Sequence, residues 1–451
     1  MKAGARVVIY ASRALFCVAL VLACLTPSWQ HGAFALWPLG TVRLLGHDYA
    51  PGALMLAPLA VAVTWLWGTL AGQRWRHWAR PAWWAVGPAL GLGTLALVRV
   101  WPVHVARAAF VTVTSIGFFW AIGLFAHTEL PIRYLAAAMA AVLVLQGLVA
   151  VGQFALQGPV GLEALGEAAK APSEQGAYVL VVGGRRWLRA QGMAPHPNVL
   201  GGQMTMGLLV VAGRAQATRD RVERALLLGS MAPGMAGLLL SFSRSALLAL
   251  LLSMAGCGLV LRRAYWGELQ PAMRRWLLGG LGACILLLGA ALSLRLCGLG
   301  NLLEQNSLRE RLEDYRLAWT LIRARPWLGV GSGYYVRALW ATVGSQMGPK
   351  FPGFRTVHSI PLLAAAELGV GGALLWMALL VGPAFVGLHR GATGHDWELV
   401  GLCVALLAGF LATLVDVYLY LPVAWWPALI LGAMLGAWSR HGSQGCDDVR
   451  R

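Results

Sequence analysis

Charged residues are scarce in this sequence: Asp, Glu, Lys and Arg together make up 12% of 451 residues, against roughly a quarter in ordinary soluble domains. With 58% hydrophobic residues and a mean hydropathy of +0.65, that scarcity excludes a water-soluble globular domain as the main architecture. Short segments of alternating polarity are missing as well. Runs such as 225–240 are apolar on every face, which excludes a spanning β-barrel and leaves helices. The seven cysteines form no framework. Cys17, Cys24, Cys257, Cys284 and Cys403 fall within apolar stretches, Cys297 at the end of one and Cys446 in the tail, so neither a disulfide nor a zinc scaffold is implied. There is no internal repeat of the kind found in many secondary transporters and no low-complexity tract, so 1–451 is read as a single polytopic domain.

Apolar stretches long enough to cross a hydrocarbon core of about 30 Å recur along the chain. The expected fold is an all-α polytopic integral membrane protein with twelve spans, at roughly 14–26, 51–71, 82–99, 107–126, 133–156, 197–213, 225–241, 246–261, 276–296, 359–388, 397–416 and 421–438. Lys2, Arg6 and Arg13 ahead of the apolar run 15–25 resemble a secretory signal; more spans follow at once without a clear cleavage site, so the run is read as a first anchor helix.

A net charge of +18 would suggest nucleic acid in a soluble protein; here arginines in short connections explain much of it, and no nucleic-acid partner is expected. Arginines 74, 76 and 80, 214, 219, 221 and 224, and 262, 263, 274 and 275 all fall on one side, which the positive-inside rule makes cytoplasmic. The polar tail, 439–451, returns to that side. Two long polar segments, 157–196 and 297–357, then face outward, the second lying between spans 9 and 10. Both are arginine-rich. Long translocated segments escape the charge rule, but their basicity asks for an anionic partner, either the phospholipid headgroups or a bound substrate.

Three positions in these outer segments stand out. Pro197-Asn198 opens a span, and a helix N-terminus with Arg189 upstream suits an anion. In 308–322, Leu308, Leu312, Tyr315, Trp319 and Ile322 follow the spacing of an amphipathic helix lying on the membrane surface. Arg309, Arg316 and Arg323 flank one edge of that stripe and Arg311 the other, beside Ala318. The helix should end at Arg325-Pro326, and the glycine run 329–333 should form a flexible turn; it is no dinucleotide fingerprint, because it follows a helix. His358 stands where the loop meets the next span, as an interfacial anchor or a base. The outer segments hold no Asp-x-Asp pair, so a diphosphate handled there must be neutralised by arginine, and a histidine is the natural titrating group near neutral pH. Glu367, about nine residues into its span, is expected to be paired or protonated and structural rather than catalytic, with no partner visible in the sequence. Arg244 reads equally as a headgroup anchor or a further donor contact, and His196 is a rival base.

Arg189-x-x-Gly192 with Pro197-Asn198, Ser243-Arg244-Ser-Ala, Arg311-x-x-x-Tyr315-x-x-Ala318 with Pro326-x-x-Gly-Val-Gly331, His358 and Glu367-x-Gly369 together resemble the O-antigen ligase and polysaccharide polymerase superfamily. The likeness covers 189–372. It departs from the family pattern at Tyr315, usually tryptophan, and Ser359, often asparagine. The resemblance implies a GT-C-like, metal-independent glycosyltransferase without cofactor, at the outer face of the bacterial inner membrane. Its donor would be a glycan on undecaprenyl diphosphate and its acceptor a lipid A-core or another glycan. Arg189 and Arg311 would then bind the diphosphate and His358 would activate the acceptor hydroxyl. The competing classes are a transporter or flippase of a lipid-linked anion, which should carry charged or broken-helix features near mid-membrane, and a structural membrane scaffold.

Overall fold

The computed structural model describes residues 42–44, 47–49, 132–163, 167, 169–261, 271–296, 302–331, 334–344 and 357–416. The spans expected at 14–26, 51–71, 82–99, 107–126 and 421–438 lie outside the described residues. The described chain is mostly helical. Its helices are α1 (Ile132–Leu156), α2 (Pro197–Ala217), α3 (Arg221–Leu240), α4 (Arg244–Leu261), α5 (Pro271–Leu296), α6 (Leu302–Ala324), α7 (Tyr335–Val343), α8 (Ile360–Thr393) and α9 (Trp397–Thr413). Two small antiparallel hairpins accompany them, β1 (Val42–Leu44) with β2 (His47–Tyr49) and β3 (Val179–Val182) with β4 (Arg185–Leu188). The expected spans from 133–156 to 276–296, and those at 359–388 and 397–416, each coincide with a helix to within five residues.

By length and composition α1 and α8 are long and apolar enough to cross a membrane, and shorter apolar stretches occupy Arg244–Gly258 in α4, Leu278–Ala290 in α5 and Trp397–Thr413 in α9. α2 is different. It carries Gln203, Thr205 and Gln216 and is buried almost all round, packed by α1, α3, α4 and α9, so protein replaces lipid as its surroundings. Met139, Leu143, Leu200, Met204, Met206 and Leu238 fill the core around it. Small residues set the closest approach: a Cβ on Gly213 would meet the Cα of Gly401 at 2.8 Å, so α2 and α9 cross nearly backbone to backbone. At that end Arg214 donates to Glu223 at 2.8 Å and also pairs with Glu398, tying α2, α3 and α9 together. This arginine, counted in sequence as a topological charge, is also a clamp.

A second core lies beside the first. α6, α7 and the first part of α8 enclose Ala318, Leu321, Ile322, Tyr335, Leu339, Val357, Leu363 and Ala366. The stripe expected on α6 is thereby corrected: Leu312 and Trp319 are each 50% exposed, while Asp314, Ala318, Leu321 and Ile322 face inward. Ala318 rather than Trp319 is covered because α8 packs close to α6, which favours a small side chain there.

α8 is a broken helix. Gly369 adopts φ 78°, ψ 174°, dividing α8 into a first segment that carries Glu367 and a second that runs on to Thr393. Over its described part, 329–331, the glycine run after α6 is no loose turn, as the sequence suggested, but docks on this break. Val330 and Gly331 donate their amides to the carbonyls of Ala366 and Glu367, each at 2.9 Å, and Val370 donates to Pro326 at 2.8 Å. The carbonyls and amide freed by the break are thus met by 326–331. Glycine is required on both sides: a Cβ on Gly369 would lie 2.2 Å from the Trp327 carbonyl, and one on Gly329 2.3 Å from that of Glu367. Gly369→Ala combines that overlap with a left-handed φ, itself worth about 1–3 kcal/mol, whereas Gly371→Ala meets open space. Thermal unfolding of the detergent-purified protein should show a lower midpoint for Gly369→Ala only; equal midpoints would refute the joint.

Candidate functional site

The site grows from the start of α2. His196 caps that helix, its Nδ1 accepting the Asn198 amide at 3.0 Å, and Pro197 fits the first turn, where no amide is needed. The chain reaching this cap is buried, although the sequence placed it in an outer loop: Ala190, Gln191 and Ala194 are each at most 2% exposed. Buried backbone needs partners, and two glutamines of α1 supply them. Gln153 Oε1 accepts the amides of Gln191 and Gly192 at 3.1 and 2.9 Å, and its Nε2 donates to the Gly192 carbonyl and to Glu167, both at 2.8 Å. Gln146 Oε1 accepts Met193 N at 2.7 Å. Gly192, at φ 58°, admits this, since a Cβ there would meet Gln146 Oε1 at 2.3 Å. The family-like Arg189-x-x-Gly192 spacing thus fixes Arg189 at the mouth of a buried loop.

Arg189 reaches across to the α3–α4 turn. Its Nε donates to Ser241 O at 3.0 Å, and its NH2 group donates to Asn198 Oδ1 at 2.7 Å and to Phe242 O at 3.4 Å. The amide of Asn198 continues the chain, Nδ2 donating to Asp416 Oδ2 at 2.5 Å. The same oxygen pairs with the NH2 group of Arg311 at 3.5 Å, while NH1 of Arg311 donates to Val415 O at 2.7 Å. Two arginines far apart in sequence are therefore linked through Asn198 and a carboxylate that is only 5% exposed. Arg244 opens α4 just beyond the turn that Arg189 holds, with an exposed side chain.

His358 stands beside α6. Its Nδ1 lies 3.0 Å from Asp314 Oδ2, and Tyr315 Oη donates to its carbonyl at 3.3 Å. Burial, foremost, holds the Tyr315 phenol protonated above its usual range, against the pull of Arg311. Glu367 does not join this group. It accepts the Tyr335 amide at 3.3 Å and so caps α7, whose own first residues offer no side-chain cap.

His196 lies within the electrostatic reach of Arg189, His358 and Arg311; burial first, then the Coulombic influence of these groups, lowers its pKa to about 3. A group that stays neutral at working pH and already uses Nδ1 as an acceptor is a poor general base. Of the residues singled out in sequence, Arg189, Arg311 and His358 are brought together with His196, Arg244 sits at the margin and Glu367 apart. Asp416 was missed. Its signal is a single carboxylate in the apolar run 410–420, where an ionisable residue is expensive and marks a pairing.

Since the folded pKa of His196 lies below that of the unfolded chain, folding is favoured by the neutral ring above about pH 6.5, and that contribution is lost progressively as pH falls toward 3. His196→Asn keeps a capping side chain without the titration. The stability lost between pH 7 and pH 5 should be smaller in this variant than in the native chain when unfolding is followed at both; equal losses would refute the assignment.

No curated protein matches the chain. The family model described as O-antigen ligase matches residues 228–377, a stretch that contains Arg244, Arg311, His358 and Glu367 but leaves Arg189, Asn198 and Asp416 outside. Proteins of this family are integral membrane enzymes of glycosyltransferase type. The match runs from within α3 to just past the break in α8, about a third of the chain, and over that stretch the chain is similar to the O-antigen ligase family.

Proposed function

We propose that this chain transfers a glycan from undecaprenyl diphosphate to an acceptor hydroxyl, on lipid A-core or another glycan, at the periplasmic face of the bacterial inner membrane. The hydrogen-bonded chain Arg189–Asn198–Asp416–Arg311, with His358 close by, is the observation that supports it most. Two guanidinium groups held by fixed partners form a preorganised cradle for a diphosphate, a reading that needs no metal. The acceptor oxygen gives its proton to His358 and attacks the anomeric carbon from the face opposite the diphosphate. The bond from that carbon to the diphosphate oxygen breaks, the configuration inverts, and the arginines hold the charge that develops on the leaving group. Polymerisation of lipid-linked repeats uses the same donor chemistry and differs only in acceptor. Purified protein given a lipid-diphosphate glycan, with and without lipid A-core, separates the two by product size.

The break in α8 is the kind of feature a transporter of lipid-linked anions would use. Here its freed backbone groups bond to 326–331 and the nearby carboxylate to α7, which favours a fixed joint over a moving gate.

Twelve spans, with 157–196 and 297–357 both outside the cytoplasm, complete the proposal. Single cysteines at the exposed positions Arg186 and Arg337 should react with a membrane-impermeant reagent in cells whose outer membrane alone is permeabilised. Labelling that requires lysis of the inner membrane would overturn the orientation and the choice of donor side.

Arg311→Ala should lose at least about a hundredfold in transfer, the typical cost of one preorganised charged contact, about 3 kcal/mol. Arg309→Ala, at an exposed position of the same helix, should stay within a few-fold. His358→Gln should bind donor yet lose nearly all turnover, since glutamine keeps polarity but takes no proton. Similar defects in the two arginine variants, or near-normal transfer by His358→Gln, would reject the assigned roles.

A further inference from the structure

Asp314 is the carboxylate that the family-like motif leaves unassigned. It lies between Arg311 and Tyr315 on the inward face of α6, in line with Ala318, Leu321 and Ile322, and is 8% exposed. A carboxylate on an apolar face is costly without a charged or hydrogen-bonded partner. Arg311, one turn earlier, is directed instead to Asp416 and the Val415 carbonyl. Asp314 is paired with His358: Oδ2 stands 3.0 Å from the ring Nδ1.

Both ends of this contact are fixed by tyrosines. Tyr335, buried at the start of α7, donates its hydroxyl to the Asp314 carbonyl at 3.4 Å, and Tyr315 donates to the His358 carbonyl at 3.3 Å. Two backbones are thus clamped on either side of one side-chain hydrogen bond. Among the described residues, Asp314 and Tyr315 of α6 bond to His358 directly and His196 ahead of α2 lies within its electrostatic reach.

Resting on the reading of His358 as base, we propose that Asp314 is a positioning residue for proton removal. Its carboxylate accepts the Nδ1 proton of His358, so that Nε2 carries the lone pair and faces the acceptor hydroxyl. When Nε2 takes that proton the ring becomes an imidazolium, and Asp314, still ionised, stabilises it by the same contact. The proton stays on Nε2 until product leaves; none passes to Asp314.

The test uses the full-length protein in nanodiscs, with a lipid-diphosphate glycan as donor and lipid A-core as acceptor. Asp314→Asn should lower kcat by about 10²-fold or more with KM for donor nearly unchanged, because an amide no longer enforces one tautomer. Asp314→Glu should recover part of the rate. Nitrogen-15 spectra of histidine-labelled protein, with His358 assigned by difference from His358→Gln, should show Nδ1 protonated in the native chain and a mixed or reversed tautomer in Asp314→Asn. Native kcat and an unchanged tautomer in Asp314→Asn, with His358→Gln inactive, would reject the pairing and leave the base in place. Normal transfer by His358→Gln would reject the base itself, and Asp314 with it.

Discussion

Asp416 accepts hydrogen bonds from Asn198 and Arg311 on one carboxylate oxygen, and the arrangement of the site follows from that sharing. Asn198 belongs to the helix at the centre of the first core, Arg311 to the helix that builds the second. A single buried carboxylate joins Arg311 to the amide that accepts from Arg189, and so holds the two guanidinium groups in one network. Without it the guanidinium groups would repel, and each would be drawn outward to water or headgroups. The pairing therefore fixes where the two cores meet as much as it serves any bound anion.

The second core depends on a different device. The segment that joins its helices α6 and α7 gains a rigid footing from backbone contact with the broken helix α8. Glycines 329 and 369 let two chains approach to where no side chain fits, and Glu367 completes the joint by capping α7. A carboxylate that looked anomalous inside a span is thus explained by a helix end that needs an acceptor.

Much of this was legible in the sequence because membrane physics leaves few choices. Apolar runs of the right length give helices, and the positions of α1, α2, α8 and α9 followed from them directly. Arg189, Arg311 and His358 were legible as odd residues in an outer segment. The partners were not. Asp416 lies more than a hundred residues from Arg311, and nothing in the local spacing of either announces the other. The periodicity of α6 misled for a physical reason: Trp319 and Leu312 are the larger apolar residues, yet close packing against α8 selected the small Ala318 and left the larger ones outside. Gln146 and Gln153 read as isolated polar residues within a span, whereas their role is to bond a buried loop whose depth no hydropathy average reveals.

The buried loop and its shared carboxylate also set an order of assembly. A ribosome delivers the chain from its N-terminus, so α1 and its glutamines emerge first, and the segment from Ala190 to Asn198 finds them soon afterwards. Arg311 follows more than a hundred residues later, and Asp416 another hundred after that. Until that last carboxylate is made, Asn198 and Arg311 lack their common acceptor. The nascent protein therefore completes its cationic cradle only after α9 has been made and has taken its place against α2.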